Sequence, residues 1–174
     1  TGIEKAQLNR LKLFESKKPK AKCVYTEYSG RLHEHATRFG AMDKCFTIYD
    51  FFQGTVDGIA PKQRNWEQLW RSCGFALKAV DASVLDMRVY DRFGNYLMYA
   101  HFVDQEHKQL DYLNYFDKDQ VKIKREFYDN RGFLSRVSFL VKHQEVHTEI
   151  YLDVQGRTRI VKQYDVTEVV PRLR

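Results

Sequence analysis

The stretch Arg125-Glu126-Phe127-Tyr128-Asp129-Asn130-Arg131-Gly132-Phe133-Leu134-Ser135-Arg136-Val137-Ser138-Phe139-Leu140 decides the fold. Phe133, Ser135, Val137 and Phe139 alternate with Leu134, Arg136, Ser138 and Leu140. This period of two belongs to a β-strand, whose successive side chains leave opposite faces. In Asp129-Asn130-Arg131-Gly132 the Asp carboxylate can accept from turn N–H groups, and Gly three residues on supplies the left-handed conformation of a bulged hairpin. The same turn stands at Asp91-Arg92-Phe93-Gly94 and Asp153-Val154-Gln155-Gly156, with a member lacking Gly at Asp117 to Gln120. Gly132 and Gly156 lie 24 residues apart, enough for two strands and two turns. A hairpin repeat over 84–170 follows, an antiparallel up-and-down β-meander of about seven strands.

Upstream the period changes. Trp66, Leu69 and Trp70 make a short helical face within a linker-and-helix segment, 61–83, and Gly54, Gly58 and Pro61 punctuate its approach. Over 1–60 the chain reads as a capped helix from Thr1 to Phe14, a short strand at Cys23 to Thr26, a helix from Arg31 to Phe39 ended by Gly40, and a strand at Phe46 to Ile48. That order is the grammar of a parallel α/β unit lacking its opening strand. The fold class is therefore α+β: a partial α/β segment followed by the meander.

Composition bounds the function. The chain has 174 residues, 43% of them hydrophobic, with 9 Gly and 3 Pro, which excludes collagen-like and wholly disordered classes. No apolar run approaches the ~18 residues a membrane helix needs. Three odd-numbered, dispersed cysteines fit a reducing, cytoplasmic setting and no paired zinc ligands, so no metal site is expected. The charge of +6 allows phosphate-bearing partners, and nucleic acid is not among those expected. The absence of an opening Met suggests a piece of a larger protein.

No G-x-S-x-G, P-loop, H-E-x-x-H or full G-x-G-x-x-G occurs, and no acid/base pair can be nominated. The one candidate ligand contact is the start of the first helix. There Thr1, Gly2 and Ile3 would present backbone N–H groups and a positive dipole end to a phosphate; an ordinary capped helix is the alternative.

Three segments together carry a resemblance. Thr1-Gly2-Ile3-Glu4-Lys5-Ala6-Gln7 resembles the S/T-G-I/V-E-x-A-Q loop that opens a group of bacterial two-domain glycosyltransferases. Ile48-Tyr49-Asp50-Phe51-Phe52-Gln53 is similar to their aromatic element, and Arg125 to Leu134 to their repeated R-E-Y/F-Y-D-x-x-G-x-L unit. The group includes poly(glycerol-phosphate) α-glucosyltransferases of wall teichoic acid and N-acetylglucosaminyltransferases of serine-rich adhesins. The resemblance implies a retaining, two-Rossmann-lobe (GT-B) transferase with an extended β-sheet inserted in the first lobe. It makes 1–60 a partial Rossmann-like lobe. The donor would be a UDP-sugar, used as substrate with no cofactor, and the acceptor teichoic acid or an adhesin. The location would be cytoplasmic, at or near the inner face of the membrane.

The catalytic residues of that group lie in the second lobe, whose paired-Glu motif is not in this sequence, so no catalytic residue is expected here. Thr1, Gly2 and Ile3 would belong to the donor-phosphate or acceptor loop. The meander would bind the acceptor or assemble subunits. Both parities of its strands carry large apolar residues, so Tyr96, Met98 and Phe102 are expected at an interface with another copy or a partner protein. The other account of that face is cover by the Trp66/Trp70 helix and the α/β part. From a different class, the chain would be a non-catalytic β-repeat binding or assembly module.

Overall fold

The computed structural model describes residues 6, 9–11, 13–14, 21–41, 44–81, 83–141 and 144–165. Thr1, Gly2 and Ile3 lie outside the described residues. The chain divides into two compact units, Thr1–Ile59 and Ala60–Arg174.

In the first unit, β1 (Cys23–Tyr25) and β2 (Cys45–Thr47) pair in parallel, with Cys23 opposite Cys45. The two cysteines are far apart in sequence but adjacent in the sheet, and they form no disulfide. Between them lies α1 (Leu32–Arg38), where Glu34 pairs with Arg31, the N-cap residue, and with Arg38 one turn on. Gly40, at φ +64°, releases the chain from that helix. Leu11, Ala36, Ala41 and Cys45 form the unit's small core.

The aromatic segment is itself a helix, α2 (Ile48–Gln53). A capping box starts it: Asp50 N–H donates to Thr47 Oγ1 at 3.0 Å, and Thr47 N–H donates to Asp50 Oδ2 at 2.8 Å. Thr55 Oγ1 donates to the other Asp50 oxygen at 2.8 Å. Phe51 and Phe52 remain exposed.

The second unit opens with an extended strap over 61–65 and α3 (Trp66–Ser72). A single antiparallel sheet of eight strands follows in sequence order: β3 (Ala76–Val80), β4 (Ser83–Tyr90), β5 (Tyr96–Phe102), β6 (Leu110–Phe116), β7 (Lys122–Tyr128), β8 (Leu134–Leu140), β9 (Val146–Leu152) and β10 (Thr158–Gln163). The strand beyond the expected seven is β3, whose sequence ALKAV has no clean alternation to announce it.

The turns follow one template. Gly94, Gly132 and Gly156 all have φ between +80° and +86°, and each N–H donates to the carbonyl of the Asp three residues before. His107, Gln120 and Gln144 occupy the same left-handed position in the β5–β6, β6–β7 and β8–β9 turns, which lack Gly there. Asp91, Asp117, Asp129 and Asp153 accept from turn N–H groups through their carboxylates.

A second irregularity recurs one step into each following strand. Val89 pairs with Met98 but Tyr90 with Tyr96, leaving Leu97 as an extra residue. Asp111, Ile123, Ser135, His147 and Arg159 are extra in the same way in the next five pairings. A bulge of this kind reverses the parity of the residues before it and sharpens the local twist.

The core sits under α3. Trp70, Met87, Val89, Met98, Ala100, Phe102, Leu110 and Leu113 are buried together, with Trp66, Leu77, Tyr115 and Tyr128 packed around them. Met98 (6% exposed) and Phe102 (fully buried) therefore belong to the core, not to an interface. The reason is α3: Trp70 lies 6.0 Å from Phe102, centroid to centroid. Burying such aromatic area is what fixes the helix on the sheet.

Candidate functional site

Tyr96 departs from Met98 and Phe102 because of the Leu97 bulge. It pairs with Tyr90, which lies on the same face as Arg88, the face opposite the core. Register places two rows of side chains across that face. One runs Asp86, His101, Tyr112, Phe127, Arg136, Tyr151, Ile160; the other runs Lys78, Arg88, Tyr99, Asn114, Arg125, Ser138, Glu149, Lys162.

These rows interlock cations with aromatic rings. The Arg136 guanidinium lies 3.9 Å from the Phe127 centroid, and Arg125 lies 5.2 Å from Tyr112 and 5.6 Å from Phe127. Arg125 Nε donates to Asn114 Oδ1 at 2.5 Å. His101 stacks on Tyr112 at 5.1 Å and meets Asp86 through Nδ1 at 2.7 Å. Glu149 accepts from Tyr151 and Tyr164 at 2.8 Å each and pairs with Arg136 at 3.1 Å. Such contacts orient the rings and guanidinium planes before any ligand arrives.

At the β4–β6 end the face opens into a depression of about 950 Å³ lined by Arg88, Tyr90, Tyr96, Tyr99, Phe116 and Lys118, among others. Tyr96 stacks on Phe116 at 4.7 Å and leans on Tyr90 at 5.5 Å, while Lys78 Nζ sits 4.8 Å from the Tyr90 centroid. Burial pushes the Tyr96 phenol up; burial and Asp86 push Tyr99 up. Both stay protonated near neutrality, able to donate hydrogen bonds.

The carboxylates at the rim are engaged. Asp91 accepts from Phe93 and Asn95 N–H at 2.8 and 2.9 Å, and Asn95 holds its carboxyl below the usual range. Asp117 accepts from Asp119 and Val121 N–H, each at 2.9 Å. The depression thus offers stacking surfaces, hydroxyl donors and cations but no free acid/base pair. Stacking surfaces, hydroxyl donors and cations are groups that can meet sugars and phosphates.

Of the residues proposed from sequence, the structure brings Tyr96 to this site and sends Met98 and Phe102 to the core. Arg88, Tyr90, Tyr99 and Phe116 were missed. Their signal lies in cross-strand register, which strand periodicity alone does not supply.

No protein-family model matches the chain, and no curated protein matches it in sequence. Solved structures do share its fold. The glycosylation-associated protein Gap123 complex of Streptococcus agalactiae superposes with TM-score 0.69 at 19% identity, over 90% of this chain and 30% of that one. The pneumococcal O-GlcNAc transferase GtfA, solved with UDP and GlcNAc, gives 0.72 at 15% identity, over 95% of this chain and 33% of its own. TarM gives 0.61 at 19% identity, over 92% and 32%. The chain spans about a third of the length of these proteins.

Proposed function

We propose that the chain is the N-terminal portion of a bacterial two-lobe, retaining glycosyltransferase, with its sheet serving acceptor binding or subunit assembly. The observation that carries this reading is the fold match, which spans both units of this chain and only 30–33% of each neighbour. The donor is a UDP-sugar and the location cytoplasmic, peripheral to the membrane. Among the described residues no helix is long and apolar enough to cross one.

The first reading of the reaction is transfer of glucose from UDP-glucose to poly(glycerol-phosphate) teichoic acid. Cations on the sheet face favour it, since Arg88, Arg125, Arg136 and Lys162 suit a polyphosphate acceptor. The second is transfer of N-acetylglucosamine to serine-rich adhesins, favoured by the higher TM-score with GtfA than with TarM. Two neighbours are named as complexes, Gap123 and GtfA/B, which supports assembly with a second copy or a partner protein through the sheet.

The test is turnover. The longer protein containing this chain is expected to release UDP from UDP-glucose in the presence of teichoic acid, and the 174-residue chain alone to release none, for want of leaving-group stabilisers. Release by neither would favour the non-catalytic β-repeat binding module instead.

A further inference from the structure

A second pocket, of about 620 Å³, lies away from the aromatic depression, under the strap that precedes α3. The strap is pinned by its backbone: Lys62 N–H donates to Arg131 O at 2.8 Å and Arg64 N–H to Lys108 O at 3.3 Å. Its contact with the β7–β8 turn is so close that a Cβ on Gly132 would stand 1.8 Å from Lys62 O. Arg131 in that turn is itself buried and held by Asp129 through Nε at 2.6 Å and a terminal nitrogen at 2.9 Å. The cations of the strap therefore project from a fixed backbone.

Lys62, Gln63 and Arg64 all line the pocket, and Lys108, whose carbonyl accepts from Arg64 N–H, lines it too. Neither Lys62 nor Arg64 is ion-paired among the described residues, whereas Lys108 already pairs with Glu106. The carboxylate in the wall, Asp153, is compensated by Arg157 at 2.8 Å and Arg159 at 3.5 Å. Trp66 and Tyr128 supply aromatic wall, their rings 5.3 Å apart, and Arg64 lies 5.3 Å from the Trp66 centroid.

We propose that this pocket binds a phosphate ester carried on a sugar. The two strap cations, neither of them ion-paired among the described residues, take the phosphate, and the Trp66 ring beside Arg64 takes the C–H face of the sugar. The volume falls in the range of small-ligand sites, about 300–1,000 Å³. The proposal is independent of the transferase reading, because it rests on residues of the second unit alone.

The chain's two tryptophans make the test local: Trp70 is buried in the core and Trp66 lines the pocket. Titration with glucose 1-phosphate is expected to change tryptophan emission saturably, with matching heat by calorimetry. Lys62→Gln combined with Arg64→Gln should weaken binding at least about tenfold, and Arg88→Gln, in the other depression, should leave it unchanged. Trp66→Phe should abolish the optical signal. Glucose alone should be silent, and inorganic phosphate weaker. No saturable signal or heat at millimolar ligand would overturn the site. An equal loss from Arg88→Gln would reduce it to diffuse surface charge, and equal affinity for inorganic phosphate would remove the sugar from the proposal. Circular dichroism and melting of each variant check that the fold is intact.

Discussion

Gly132 carries a constraint that Gly94 does not. Both have φ +86°, so any side chain there is strained by about 1–2 kcal/mol. A Cβ at Gly94 meets nothing within 4 Å, whereas at Gly132 it would collide with the strap carbonyl of Lys62. Gly94→Ala is expected to lose about 1 kcal/mol in urea unfolding and Gly132→Ala roughly 3 or more; equal losses would show that the strap does not seat as described. Glu149 sets a second residue-scale expectation. Burial alone would raise its carboxyl, but hydrogen bonds from Tyr164 and Tyr151, the Arg136 charge and Ser138 outweigh it and leave it below the ordinary value of 4.5. A carboxyl depressed in the folded state stabilises fully above its unfolded value and loses that contribution as pH falls through the folded one. Stability should therefore drop below about pH 4.5, and Glu149→Gln should shallow that slope in denaturation series run at several pH values. Asp86 and Asp153 are shifted in the same direction, so a residual slope remains in the variant.

At the scale of elements, α3 decides which face of the sheet is core. His107 ties it down from the β5–β6 turn: Nδ1 meets Glu67 Oε1 of α3 at 2.5 Å, Nε2 meets Val84 O of β4 at 2.9 Å, and the ring lies 4.4 Å from Phe102. Trp70→Ala or Phe102→Ala should cost roughly 3–5 kcal/mol in urea unfolding, the range for truncating a buried aromatic residue. Tyr96→Ala, on the opposite face, should cost well under half as much, and comparable losses would mean that the Leu97 bulge does not turn Tyr96 out of the core. The capping box of α2 is a smaller device. Thr47→Ala should lose about 1 kcal/mol, measured as a lower melting temperature of the first unit's signal.

At the scale of the whole molecule, each unit contains its own core, one of four buried residues and one of eight among the described residues. The second unit also closes its own network of turns, strap and bulges. Residues 60–165 produced alone should therefore give a β-rich circular dichroism spectrum and a single cooperative unfolding transition. A molten spectrum or non-cooperative melting would show that the sheet depends on residues outside it.

The meander, its turns and the parallel unit were legible in the sequence because each is governed by local chemistry. Asp-x-x-Gly supplies both the carboxylate acceptor and the left-handed residue of a hairpin turn, and alternation of apolar residues announces a strand. Two further elements are not announced by the sequence pattern: β3, whose residues lack alternation, and α2, whose Thr47/Asp50 capping box stands at the head of an aromatic segment. The candidate site was legible only in Tyr96. Strict alternation puts Tyr96, Met98 and Phe102 on one face, but one extra residue, Leu97, reverses the first while Trp70 covers the others. A bulge is a property of two paired strands and a helix cover is a property of packing, so neither is written in the spacing of any one strand. Local chemistry determined the elements; register and cover, which exist only between elements, decided which of their residues face a ligand.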